Sequence, residues 1–198
     1  MPVFRRYFTV EEERQLFRAI GQLADIHARR DLAWMRLLRQ TGIRVQTLAG
    51  LNVCDAKEAI RTHYLVLRPE ITKRKRGGKV FVTQHARRAL KTLLQIRREM
   101  GYPEAPDEPL IVSRKHQRMS IRSYQERVRH WCRAAGLNAK ASPHWFRHTL
   151  AKRLMKQSTA DDPRGVVQGV LNHASISSTA IYTQPDKEEI EQAMEEVS

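Results

Sequence analysis

Cysteine is scarce in this chain: Cys54 and Cys132 are the only two among 198 residues. They stand far apart and share no paired spacing, which argues against a zinc site or a disulfide framework and fits a reducing cytosol. Each is expected to behave as a small buried apolar residue. Long apolar runs are missing as well. No stretch approaches the ~20 consecutive apolar residues that a membrane span needs. The opening MPVFRRYF has no apolar run after its charges, so no signal peptide is expected. Neither an internal repeat nor a low-complexity linker interrupts the chain. Acid is the third shortage: 21 Asp and Glu stand against 36 Lys and Arg, for a net charge of +15. Such a surface attracts a polyanion, nucleic acid first, although a basic ribosomal or membrane-surface protein would share the balance. The 41% hydrophobic content excludes a disordered basic tail. The length allows one large domain or two small ones, with a real core.

What acid there is gathers at one end. The final PDKEEIEQAMEEVS holds six acidic residues and one lysine, an amphipathic segment that reads either as a solvated helix or as a tail that docks on a basic body. Upstream, FTVEEERQLFRAI opens with a capping box, Thr9 capping the first turn while Glu12 reaches back. RDLAWMRLLRQTG reads as a second helix ended by Gly42, and VQTLAGLNV as a short third. Residues 64–83 change character: two β-rich runs flank a basic segment and a Gly77–Gly78 turn, which predicts a hairpin. QHARRALKTLLQIRREMG is helical, YPEAPDEP a loop and LIVS a brief extended piece. The segments YQERVRHWCRAAGL, PHWFRHTLAKRLMKQ, PRGVVQGVLNH, STAIYTQ and the acidic tail all favour helix. The expected fold is mainly α with a small antiparallel β-hairpin sheet, an α+β domain.

Three segments carry residues suited to chemistry. In SPHWFRHTLAKRL, Pro143 suits a helix start, and His144, Arg147 and His148 share one face at i, i+3 and i+4. Phe146, Leu150 and Leu154 mark another face, the one to bury. An imidazole and a guanidinium beside a helix N-terminus favour an anion; a solvated basic face is the plainer reading. Arg44 follows Gly42 at the entry to an apolar helix. No acid lies within four residues of it, which favours a bound anion as its partner. TKRKRGGKV places Lys73, Lys75 and Lys79 around a turn. Hairpin-tip lysines commonly touch a phosphate backbone, and one of them could serve as an acid if neighbouring arginines depress its pKa.

Arg44 in TGIRVQTLAGL, a lysine in the hairpin, HWFRH at 144–148 and LNHASISSTAIYT at 171–183 together resemble the ordered signature of the tyrosine recombinases, or phage integrase family. The resemblance runs from about residue 9 to about residue 190. It implies a catalytic domain over 1–185 and an acidic tail helix over 186–198. It further implies a site-specific recombinase that cleaves and rejoins double-stranded DNA with neither metal nor cofactor. Tyr182 would be the nucleophile, forming a 3′-phosphotyrosyl bond. Arg44 and Arg147 would neutralise the non-bridging oxygens. His144 would accept a proton, and His173 would bond the phosphate. Lys75 would protonate the leaving oxygen, with Lys73 and Lys79 as alternatives. Lys73, Arg74, Arg76, Lys79 and His148 would contact DNA.

The family's usual partners follow as expectations: a homo-oligomer on DNA, as a tetrameric synapse whose C-terminal tail docks on a neighbour, with accessory DNA-bending proteins. The expected location is the cytoplasm of a bacterial, phage or mobile-element host cell, at the nucleoid and not in a membrane. Three departures from the pattern stand out. Thr47 replaces the acid usual three residues after the first arginine, Asn172 replaces the glycine usual before the second histidine, and QSTADDPRG is a longer connection. The pattern also begins almost at once, as in the short fimbrial-switch invertases or in a catalytic fragment. The competing expectation is a DNA-binding accessory protein with the same fold and no efficient catalysis.

Overall fold

The computed structural model describes residues 7–73, 75–171, 191 and 194–196. Local signals set most helix ends. The capping box forms as expected, with Thr9 accepting from the Glu12 amide and the Glu12 carboxylate accepting from the Thr9 amide, and α1 runs Val10–Gly21. Helix α2 spans Ile26–Thr41, starting earlier than its apolar pattern because Asp25 caps it. Its end is Gly42 in the left-handed conformation at φ 61°. A Cβ there would lie 2.6 Å from Leu171 Cδ2, so both the backbone angle and the space require glycine.

Helices α3 (Val45–Gly50) and α4 (Val53–Thr62) follow, then strands β1 (Tyr64–Leu67) and β2 (Gly78–Phe81), helix α5 (Gln84–Glu99), α6 (Ile121–Ala134), α7 (Pro143–Gln157) and α8 (Pro163–Val170). The two strands pair antiparallel with Tyr64 opposite Phe81 and Leu67 opposite Gly78. The expected hairpin is therefore present, but its turn is not at Gly77–Gly78. Gly78 already pairs as the first residue of β2, and the connection is the whole of 68–77, with a 3-10 turn at Pro69–Ile71. Helix α4 carried no clear sequence signal, because two of its three buried positions are alanines, Ala56 and Ala59.

Helix α2 is the central element, packed against α1, α5 and α7. Leu32, Trp34, Met35, Leu37 and Leu38 are all buried, and Trp34 meets Tyr124 of α6 edge to face at 5.0 Å. A helix buried on several faces must satisfy its charges internally. Asp31, fully buried, accepts from Arg30 (2.9 Å), Trp34 (3.1 Å), Arg127 (2.5 Å) and Trp131 (3.0 Å). Buried Glu13 takes Arg39 of α2 at 2.7 Å and Arg153 of α7 at 2.8 Å on the same oxygen, tying α1 to both. Cys132 is buried, and burial pushes its thiol up to about 12. Cys54 departs from expectation and is half-buried, lining a groove beside β1. No helix among the described residues is long and apolar enough to cross a membrane.

Candidate active site

The end of α2 and the start of α3 present Arg44. It is the N-cap residue of α3 and half-buried; its carbonyl accepts from the Leu48 amide at 3.0 Å, while its side chain makes no hydrogen bond or ion pair among the described residues. Thr47, one turn on, is buried. Arg44 is thus held by its backbone at a helix start and not by an acid, in keeping with the missing carboxylate at position 47.

Helix α7 begins at Pro143 as the sequence predicts and carries the second cluster. His144 is exposed and His148 half-buried, and their rings meet edge to face with centroids 5.1 Å apart. Arg147 differs from a solvated basic face: it is only 4% exposed. Its Nη1 donates to the Gly42 carbonyl at 2.5 Å and its Nη2 to the Leu171 carbonyl at 2.7 Å. Gly42 lies two residues before Arg44, and Leu171 two residues before His173. One guanidinium therefore fastens the Arg44 turn and the entry to the His173 segment onto the helix that carries His144 and His148. Of the face expected to be buried, Phe146 is fully so, while Leu150 and Leu154 are half-buried against the small cluster of Ala151, Val167 and Leu171.

The hairpin connection docks onto α3. Arg68 donates to the Gly50 carbonyl at 3.1 Å and grips Asp55 at 3.0 Å, and Ile71 packs so closely on Gly50 that a Cβ there would stand 2.4 Å from it. Lys73, Lys75 and Arg76 are exposed on this connection. Lys75 has a left-handed backbone at φ 50° and its amide donates to the Thr72 carbonyl at 3.2 Å. Lys79 lies instead within β2, opposite Val66, and is exposed. The helix that opens with Arg44 thus ends on the loop that bears the lysines. Arg74, His173 and Tyr182, and most of the tail from 186 to 198, lie outside the described residues.

Much of the arginine content is structural, which the sequence did not disclose. Arg97 is buried and donates to the Pro103 and Pro109 carbonyls and to Glu108, fixing the proline-rich loop against α5. Arg118 donates to the carbonyls of Ala49 and Leu51 and to the Asn52 side chain, bracing the end of α3 from the far side of the chain. Such latches have no sequence signal, because most of their partners are backbone carbonyls, which every residue carries. Among the described residues, no group of three or more His, Cys, Asp or Glu is placed to hold a metal ion.

The arrangement sets two arginines and a histidine pair near the Gly42 turn, with exposed lysines on the connection at the other end of α3, residue types suited to a tetrahedral phosphate. Comparison with known proteins points to one family. The tyrosine recombinase XerC of Thermodesulfovibrio yellowstonii is 33% identical over 189 residues, covering 91% of this chain and 58% of that protein. The chain thus spans little more than half the length of this relative. Two solved structures share the fold. The recombinase XerA matches with a TM-score of 0.73 at 23% identity, over 99% of this chain and 63% of that one. The site-specific recombinase XerH matches with a TM-score of 0.71 at 21% identity, over 96% of this chain and 54% of that one. The phage integrase family model matches residues 6–189, and the chain belongs to the phage integrase family.

Proposed function

We propose that the protein cuts and rejoins double-stranded DNA at specific sites by tyrosine transesterification. The observation that carries this reading is the Arg147 fastening, which ties the Gly42 turn before Arg44 and the Leu171 carbonyl to the helix that carries His144. A DNA partner is supported by the matching XerH structure, which is bound to its difH substrate, and by the net charge of +15.

Tyr182 attacks phosphorus and displaces the 5′ oxygen, forming a 3′-phosphotyrosyl ester that conserves the energy of the broken bond for rejoining. Arg44 and Arg147 neutralise the charge that develops on the non-bridging oxygens. A guanidinium has five N–H bonds; the Gly42 and Leu171 carbonyls account for two on Arg147, which orients its plane before DNA arrives. The ordinary phenol pKa of ~10 requires help at neutral pH, which the cations around the phosphate and a proton acceptor, His144, provide. His173 bonds the phosphate. Lys75 protonates the leaving oxygen from the exposed connection, and Lys73, Arg74, Arg76, Lys79 and His148 contact the DNA backbone.

The protein works as a homo-oligomer on DNA, its acidic tail seated on a neighbouring copy. A groove of about 610 Å³ between α1 and α2 suits that tail, with Val10 and Phe17 as apolar lining and Arg14, Arg18, Arg36 and Arg39 around them. Deleting the residues after Gln184 should weaken assembly on DNA, read by sedimentation, more than DNA contact; unchanged assembly would oppose this.

The test of the reaction is incubation with nicked suicide substrates carrying the recognised site. A covalent protein–DNA adduct lost in Tyr182→Phe is the expected result. Binding to that site with no adduct would favour an accessory DNA-binding role instead.

A further inference from the structure

The outer face of the hairpin is apolar where solvent should make it polar. Leu65, Leu67 and Val80 point into the core, as the two-residue period of a strand requires. The alternate positions are Tyr64, Val66, Lys79 and Phe81. Tyr64 is 47% exposed, Val66 42% and Phe81 57%, and these three make up nearly half of the large exposed apolar side chains among the described residues. They are not scattered. Tyr64 and Phe81 are directly opposite in the register, and their rings meet edge to face at 5.7 Å.

The same face carries positive charge. Lys79 stands opposite Val66 in the middle of the sheet. At the aromatic end, half-buried Arg87 donates through Nη1 to His63 Nε2 at 2.8 Å, and its Nε is buried away from solvent. The acids of the adjoining groove are already matched: Asp55 with Arg68 at 3.0 Å, Glu58 with Arg61 at 2.6 Å and Glu104 with Lys57 at 3.1 Å. No unmatched carboxylate there opposes a phosphate. Exposed ring faces combined with cations fit a nucleic acid better than an apolar protein surface.

Within a duplex the base faces are covered by their neighbours, so only an unpaired or extruded base can stack on a protein ring. We infer that the Tyr64–Phe81 pair is a stacking platform for unpaired DNA bases, with Lys79 and Arg87 holding the adjoining phosphates. This rests on the strand-transfer reading, since exchange of strands between duplexes frees bases from their partners. The connection that bears the candidate acid lysines leaves the other end of the same two-stranded sheet, beyond Leu67 and Gly78, roughly 10 Å along the strands from the platform.

The test uses the full chain with a short single-stranded oligonucleotide containing 2-aminopurine, and a duplex of the same sequence. Affinity is read by anisotropy and stacking by quenching of the 2-aminopurine emission. Phe81→Leu keeps apolar bulk and removes the ring; it should weaken single-strand binding by about 10-fold and abolish the quenching. Phe81→Trp should retain both. Duplex binding should change by less than about 2-fold in either variant. Both changes are at the one exposed position 81, and thermal melts establish that the variants fold. Equal loss on duplex and single strand, or unchanged single-strand affinity and quenching, would overturn the platform. Loss of self-association in Phe81→Leu without loss of oligonucleotide affinity would overturn it in favour of a protein contact. The single-strand readout needs no chemistry, so its failure is distinct from absence of the Tyr182 adduct in the wild-type protein.

Discussion

Replacing Arg147 by methionine removes the guanidinium while keeping an unbranched side chain of similar reach. In the native structure Nη1 and Nη2 bond the Gly42 and Leu171 carbonyls at 2.5 and 2.7 Å, and the residue is 4% exposed. Methionine leaves both carbonyls without that donor in a site that water reaches poorly. Each stranded buried acceptor costs about 1–3 kcal/mol, so the pair costs about 2–6 kcal/mol. For a chain of this length, each kcal/mol moves the midpoint by about 2–4 °C. Arg147→Met should therefore melt on the order of 10 °C below the wild type, measured by circular dichroism without DNA. Arg147→Lys keeps a buried donor and should recover part of that loss. These melts separate fastening from phosphate binding, because no phosphate is present. An Arg147→Met protein that melts within about 1 °C of the wild type would refute the fastening.

Asp31 is held below the usual carboxylate range. Burial alone would raise it, but Arg30 and Arg127, with hydrogen bonds from Trp131 and Arg30, outweigh burial. Its folded pKa being depressed, it contributes stability above the ordinary value of ~3.9 and loses it as pH falls through the folded value. Asp31→Asn should cost about 3–5 kcal/mol at neutral pH in urea unfolding, and the gap should narrow below about pH 4; a gap constant into acid would contradict this. Among the lysines, Lys75→Ala should slow cleavage on an ordinary phosphodiester about 100-fold or more and be rescued by a 5′-thiolate leaving group that needs no proton. Rescue of Lys73→Ala or Lys79→Ala in its place would move the acid to that residue.

The capping box at Thr9, the stop at Gly42 and the start of α7 at Pro143 were legible because each is local: a few neighbouring residues decide the backbone. Helix α4 was not, because alanine buries well yet adds little to an apolar pattern. The Gly77–Gly78 pair suggested a tight turn from composition, but the pairing of Leu67 with Gly78 places the second glycine inside the strand. The order of Arg44, the hairpin lysines, HWFRH and the His173–Tyr182 segment was visible in the chain. The burial of Arg147 was not, since its partners are the carbonyls of Gly42 and Leu171, which lie 105 and 24 residues away. The same holds for Arg118, whose carbonyl partners Ala49 and Leu51 lie 69 and 67 residues away. A positive charge in the sequence gives no sign of whether it will meet a phosphate or a peptide carbonyl.

The most direct measurement is the trapping of a covalent intermediate on a suicide substrate bearing the recognised site, resolved by denaturing electrophoresis and peptide mapping. The wild type should give an adduct whose DNA is linked to the peptide containing Tyr182, and Tyr182→Phe should give none while still binding the same DNA. An adduct that survives Tyr182→Phe would contradict the assigned nucleophile, and site-specific binding with no adduct from the wild type would contradict strand transfer itself.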